Sequence, residues 1–437
     1  MVFCRRDFIF GGILVLAMSG RPLGAIAAEP ARVVQTWYRL VLELVRHTPT
    51  YTPPVASRSF AYVGVTAFEA VASGNPKLKS LAGQVQGLKP VPLREAGQEF
   101  HEAVVLHAAL ASIIRHLFAN TGPTGQRAMN AMGSKLGAKV ADGVASDVAA
   151  RSEAYGRTVA AHIQAWAAED GGAVIENMGF PLQMDLPKGS QDWAPTNLVR
   201  QQQLPLLPDW GKNRTFAMPN GASCKIPPPP TYSEYQASAF YAEALEVYEA
   251  RKNITEDETA IARFWADDAM LSKTPPGHWI HIAMNALQKE QADVARSVEV
   301  LARLGIGLAD AFIGCWEAKY QYNLLRPVSY IRRVMDPKWE PILLTPPFPE
   351  YPSGHSTQSG AAAEVLTQLF GEDYAFVDNA QDDEGLPPRS FASFRAAAQE
   401  AGISRLYGGI HFRAAIVNGL EQGRCIAAFT NALRTRR

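Results

Sequence analysis

Along most of this chain apolar residues recur every three to four positions, and strictly alternating runs are scarce, so helices are predicted almost throughout. The clearest case runs from about residue 308 to 325, where Leu308, Phe312, Ile313, Trp316, Tyr320 and Leu324 fall on one stripe. Pro327 is predicted to end that helix. Lys319 and Arg326 then lie seven residues apart along it, with Asn323 between them. Alanine-rich stretches at 101–118, 131–170 and 237–251 read as further helices, as do a small-residue run at 355–369 and a terminal stretch from about 412 to 433. The pattern breaks at 171–230, which is rich in Pro, Gly, Asn and Trp and closes on Pro227 to Pro230, a run no helix can continue. The expectation is an all-α fold of two helical bundles, 29–170 and 231–437, with a long Pro/Gly-rich loop layer at 171–230 covering a site entrance.

Residues 1–28 follow a different logic. Arg5 and Arg6 precede a short apolar stretch to Met18, and small residues Ala25 to Ala28 follow, the layout of a cleaved signal peptide. The paired arginines before Asp7-Phe8-Ile9 resemble a bacterial twin-arginine signal, which implies a periplasmic or secreted protein. Downstream no twenty-residue apolar span occurs, so no membrane insertion is expected after signal cleavage. Lys plus Arg balance Asp plus Glu at 42 each, which leaves no basic field for nucleic acid. Beyond Cys4, only Cys224, Cys315 and Cys425 remain, enough for one bridge at most; Cys315 and Cys425 read as buried thiols in helices. His101, His107, His116 and His162 lie on predicted helices at mixed spacings and are expected to pack or face water.

The chemistry-bearing residues gather in three short segments. Lys319 and Arg326 belong to the first, Lys-Tyr-Gln-Tyr-Asn-Leu-Leu-Arg-Pro. The second, Pro352-Ser353-Gly354-His355, breaks the chain before a predicted helix, where a serine cap and a glycine amide make a ready anion site. In the third, Arg405 stands six residues before His411 at the start of the terminal helix. Three cations brought together empty repel one another, so Lys319, Arg326 and Arg405 expect an oxyanion. Beside it, His355 and His411 can move protons or bond to the bound centre.

In this order the segments resemble the shared signature of the vanadium-dependent haloperoxidases and the type 2 phosphatidic acid phosphatase superfamily. The resemblance continues more weakly through 264–268, 274–279 and 53–57. It implies a vanadate cofactor, with phosphate able to occupy the same site. Lys319, Arg326 and Arg405, with Ser353 and the Gly354 amide, would hold the oxygens. His411 would be the ligand to vanadium, or in a phosphatase the nucleophile, and His355 the acid–base group. A carboxylate that orients His355 is expected at Asp268 when counted from Trp265, or at Asp267 when counted back from Thr274. Trp316 and Phe348 resemble the aromatic pair of a halide pocket. The family's usual aspartate, four residues after the last histidine, is Ala415 here, which takes an orienting group away from His411. The function so implied is oxidation of halide by hydrogen peroxide, with an organic acceptor possible downstream. An acid phosphatase using a phosphohistidine and a non-catalytic periplasmic oxyanion binder are the alternatives.

Overall fold

The computed structural model describes residues 30–175, 177–196 and 204–437. The expected signal peptide lies outside the described residues. Five helices form the first half: α1 (Pro30–Arg46), α2 (Pro53–Ala72), α3 (Glu102–Leu117), α4 (Pro123–Ala141) and α5 (Ser146–Ala168). Eight form the second: α6 (Ala239–Lys252), α7 (Glu256–Phe264), α8 (Thr274–Lys289), α9 (Val294–Tyr322), α10 (Pro327–Val334), α11 (Gly354–Phe370), α12 (Phe394–Tyr407) and α13 (Arg413–Asn431). A two-stranded antiparallel hairpin, β1 (Phe376–Asp378) with β2 (Arg389–Phe391), is the only sheet among the described residues. The fold is all-α, as the periodicity predicts.

α1 shows the amphipathic pattern plainly, burying Val33, Val34, Trp37, Tyr38, Val41, Leu42 and Val45 along one face. α2 and α9 are instead buried on nearly every side and form the spine of the molecule. They cross almost backbone to backbone. A Cβ on Gly64 would stand 2.8 Å from the Ala302 Cα, and one on Gly305 2.8 Å from the Phe60 carbonyl oxygen, so only glycine fits there. α11 and α13 pack just as closely beside the spine and frame the site from the other side.

One boundary differs from the expectation in a way that matters. α9 stops at Tyr322, where Asn323 takes a left-handed C-cap conformation (φ 45°) and returns its N–H to the Lys319 carbonyl. Pro327 therefore begins α10 instead of ending α9, and Arg326 is the N-cap residue of α10. Lys319 and Arg326 do not share one helical stripe; a turn redirects Arg326 into the interior.

The 171–230 loop layer is anchored to the spine by a buried carboxylate. Asp310 on α9 accepts the amides of Phe216, Ala217 and Met218 at 2.6, 2.7 and 3.0 Å. Burial still raises its pKa to about 6 against those three bonds. The layer is also tied to α13 by a disulfide between Cys224 and Cys425. Cys425 is thus bonded, contrary to its reading as a thiol, while Cys315 is free and buried. Among the described residues no helix is long and apolar enough to cross a membrane.

Candidate active site

The second and third segments line one cavity of about 330 Å³, with Gly354, His355, Arg405, His411, Asp267, Asp268, Trp316 and Phe348 among its walls, and the first packs behind it, where Arg326 Nη1 reaches His411 Nε2 at 3.1 Å. Lys319, Arg326, Ser353 and Arg405 around it are all essentially inaccessible to water. Local folding explains why. Ser353 caps α11 and accepts the Ser356 amide, Arg405 sits in the last turn of α12, and His411 precedes the first turn of α13. Two helix starts and one helix end therefore meet at the cavity, with amide donors at both starts.

The cations are not equivalent. Arg326 donates Nε to the Phe348 carbonyl (2.9 Å) and Nη1 to the Ile410 carbonyl (2.9 Å), but its buried Nη2 has no protein partner. Arg405 reaches the Ser404 hydroxyl and the Ala262 and Trp265 carbonyls. Burial lowers both guanidinium pKa values to about 10, so both remain charged at neutral pH. Lys319 is engaged by backbone. Its Nζ donates to the carbonyls of Pro349, Glu350 and Pro352 at 2.8, 3.0 and 2.5 Å, which uses all three ammonium protons on the 349–352 turn. Burial lowers its pKa to about 7. In this structure Lys319 staples the loop that carries Phe348 and Ser353, and holds charge near the cavity without a hydrogen bond to spare.

His411 is neutral and oriented. Burial pushes its pKa well below the usual histidine value, and Arg326, Lys319 and Arg405 push the same way. Arg326 Nη1 lies 3.1 Å from Nε2 and can only donate, so Nε2 is the acceptor and the ring proton sits on Nδ1. That Nδ1–H donates to Glu350 Oε1 at 2.8 Å. Glu350 is completely buried, and its second oxygen has no partner. Burial raises its pKa to about 8, against the pull of Arg326, the Phe412 amide and Lys319. The carboxylate missing at Ala415 is thus supplied by a residue that sequence reasoning did not select.

A second carboxylate cluster stands behind His355. Asp267 Oδ2 is 3.8 Å from His355 Nε2, and both Asp267 oxygens contact His278 Nδ1, at 2.9 and 3.1 Å. The carboxylate facing His355 is therefore that of Asp267, the position counted back from Thr274; Asp268, the position counted from Trp265, also lines the cavity but makes no ion pair with His355. On its far side His278 Nε2 meets Asp378 of β1 at 2.8 Å, and Trp265 stacks on the ring with centroids 4.5 Å apart. Burial disfavours the His278 imidazolium, but Asp267 and Asp378 outweigh it and raise the pKa to about 10. His355 moves the other way: burial, then Arg405 and His278, hold it well below the usual value. Its Nε2 has no hydrogen-bond partner. A neutral imidazole with a free nitrogen facing a cavity can take a proton.

The wall above these groups is apolar. Trp316 and Phe348 pack with centroids 4.9 Å apart, and Trp316 donates Nε1 to the Leu206 carbonyl. Leu206, Phe180 and Met178, all from the loop layer, complete the wall with Leu343 and Pro347. Of the additional histidines, His107 packs against Trp37 with its pKa lowered by burial, and His162 meets the Lys89 carbonyl.

Taken together, an all-α body gathers buried arginines, two neutral histidines and helix starts around one cavity. Residues 299–436 match the family model described as the VCPO second helical-bundle domain. The chain is 39% identical to the first bacterial vanadium-dependent iodoperoxidase of known structure, with a TM-score of 0.84 over 93% of this chain and 97% of that one. It therefore belongs to the vanadium-dependent haloperoxidase family. Among curated proteins it is 29% identical over 138 residues to the vanadium chloroperoxidase of Curvularia inaequalis, and 32% over 128 residues to the vanadium-dependent bromoperoxidase of Ascophyllum nodosum. Those alignments span 26% and 25% of this chain and 23% of each relative, so they cover about a quarter of each protein. A bacterial vanadium-dependent chloroperoxidase shares the fold at 15% identity, with a TM-score of 0.66 over 94% of this chain and 93% of that one.

Proposed function

We propose that this protein is an exported vanadate-dependent peroxidase that oxidises halide with hydrogen peroxide. The observation that carries the reading is a buried guanidinium with a free nitrogen beside a neutral imidazole. Arg326 Nη2 lacks an acceptor, while Arg326 Nη1 donates to the His411 Nε2 lone pair. An oxyanion with an open coordination position would give Nη2 its acceptor and take Nε2 in place of Nη1, so the residues fit vanadate. Arg326 and Arg405 would hold its oxygens, the Gly354 amide at the α11 start would add a donor, and His411 Nε2 would be the ligand. Bound vanadate supplies a Lewis-acidic centre that activates hydrogen peroxide toward halide.

The chain's own residues do the rest. His355 takes a proton at Nε2 as peroxide enters and returns it as product leaves. The Asp267 carboxylate, 3.8 Å from that nitrogen, favours the imidazolium once the proton is taken. Trp316 and Phe348 exclude bulk water from one side and let a weakly hydrated halide approach. Lys319 fixes the turn carrying Phe348 and Ser353. Export accords with the Cys224–Cys425 disulfide, which persists in an oxidising compartment. A phosphatase is less favoured, because a wall of Trp316, Phe348, Phe180 and Leu206 offers little to a charged phosphate ester. The test is halide oxidation by the purified protein with hydrogen peroxide, with and without orthovanadate, beside phosphate release from an aryl phosphate. Vanadate-dependent halide oxidation is expected; phosphate release that vanadate inhibits, without halide oxidation, refutes the proposal.

A further inference from the structure

We propose that Glu350 is the positioning residue for His411, and that it replaces an aspartate at position 415 by filling the same point in space from another segment. The geometry of the α13 start carries the argument. Phe412 is the N-cap of α13, which makes Arg413, Ala414 and Ala415 its N1, N2 and N3 residues. A carboxylate at N3 reaches back to the backbone N–H of the N-cap residue, the reciprocal half of a capping box. Side chains in the first turn also lean toward the helix N-terminus, where His411 lies. An aspartate at 415 would thus meet the Phe412 amide and the adjacent imidazole. In this chain 415 is alanine, and both contacts are made by one atom of Glu350: Oε1 accepts Phe412 N–H and His411 Nδ1–H, each at 2.8 Å.

The turn that delivers Glu350 is built for it. Lys319 binds the carbonyls on both sides, at Pro349 and Pro352, as well as that of Glu350 itself. The Glu350 amide donates to the Leu324 carbonyl at 2.9 Å. Glu350 lies among prolines and aromatics, and its side chain has no water contact, so a carboxylate there has no use on the surface. With Nδ1–H engaged and Nε2 facing Arg326, the ring is held in one tautomer and one orientation before any ligand arrives.

The inference rests on reading His411 as the vanadate-linked histidine, and its test has a readout that needs no vanadate. Histidine-selective 1H–15N NMR of the vanadate-free protein reports whether the His411 Nδ1–H is hydrogen-bonded; calorimetric titration with orthovanadate reports affinity. Arg326 fixes the tautomer from the Nε2 side, so the readout is the Nδ1–H itself. Glu350→Ala should shift that proton upfield and speed its exchange with solvent, and weaken orthovanadate binding about 10- to 100-fold, the usual effect of removing a ligand's orienting partner. Adding Ala415→Asp to Glu350→Ala should restore both. Ala415→Asp alone should weaken binding, since two carboxylates would then crowd one site. Glu350→Gln, which keeps an acceptor in place, should keep the bonded Nδ1–H. An unchanged Nδ1–H signal in Glu350→Ala, a double variant no better than Glu350→Ala, or loss of the bonded signal in Glu350→Gln overturns the proposal. A wild-type protein with the bonded Nδ1–H that fails to bind orthovanadate defeats the vanadate reading alone.

Discussion

Replacing His278 with glutamine should destabilise the protein in a way that depends on pH, because this ring is a buried cation between two carboxylates. Asp267 and Asp378 flank it at 2.9 and 2.8 Å, and all three side chains are buried. Glutamine has nearly the same reach but no charge, so both carboxylates lose their counter-ion. Breaking a buried pair of this kind costs about 3–5 kcal/mol. The proton affinity gives a similar size: a rise from 6.5 to about 10 is worth about 5 kcal/mol at roughly 1.36 kcal/mol per unit. The sign follows from the direction of the shift. The folded value lies above the unfolded one, so the contribution is complete below about pH 6.5 and is lost as pH rises through about 10. At roughly 2.1 cal/mol/K per residue, a chain of 437 residues has an unfolding entropy near 0.9 kcal/mol/K, which turns the loss into about 3–5 °C of Tm. Calorimetry of both proteins at pH 6 and pH 10 measures this. A gap of several degrees at pH 6 that closes toward pH 10 is expected; no gap at pH 6, or the same gap at both, refutes the charge assignment.

The Cys224–Cys425 bridge closes a loop of 201 residues, and Cys425→Ser should cost about 2–5 kcal/mol, seen as a lower Tm that added reductant does not lower further. Met178 and Met270 stand 47% exposed at the cavity rim, whereas Met184, 36% exposed, lines a separate depression. If hypohalous acid leaves through this mouth, peptide mass spectrometry after turnover should find more sulfoxide at Met178 and Met270 than at Met184. Reagent hypohalous acid added from outside should mark all three alike.

Helix positions were legible because a 3.6-residue period is a local signal, and α3, α6, α11 and α13 begin and end within a few residues of their expected bounds. The end of α9 was not. Asn323 takes a left-handed cap that no periodicity encodes, and Pro327 suits the first turn of a helix as well as the position after a last one. The disulfide was illegible for a different reason. Three cysteines permit several pairings, and only the fold brings residues 201 apart to a Cα separation of 5.9 Å.

The site divides the same way, between the motif residues at the cavity and the groups that hold them. His355, Arg326, Arg405 and His411 were visible as motif residues, because their spacing is set by helix starts close to them in sequence. Their supports come from distant segments: Asp378 reaches His278 across 100 residues, and Glu350 reaches His411 across 61. Spacing cannot report such pairs, but composition gives one clue. Glu350 is the one charged residue in the run from Pro346 to Pro352, where prolines and aromatics leave a carboxylate no solvated role. The same clue bears on the loss at Ala415. A missing orienting group at a site whose other members are all present is better explained by relocation than by decay, since each surviving member keeps a buried charge or lone pair that would be costly without a partner. On that argument Glu350 persists in the interior because it holds the His411 ring, and the unpartnered Arg326 Nη2 beside that ring is the group the proposed oxyanion would complete.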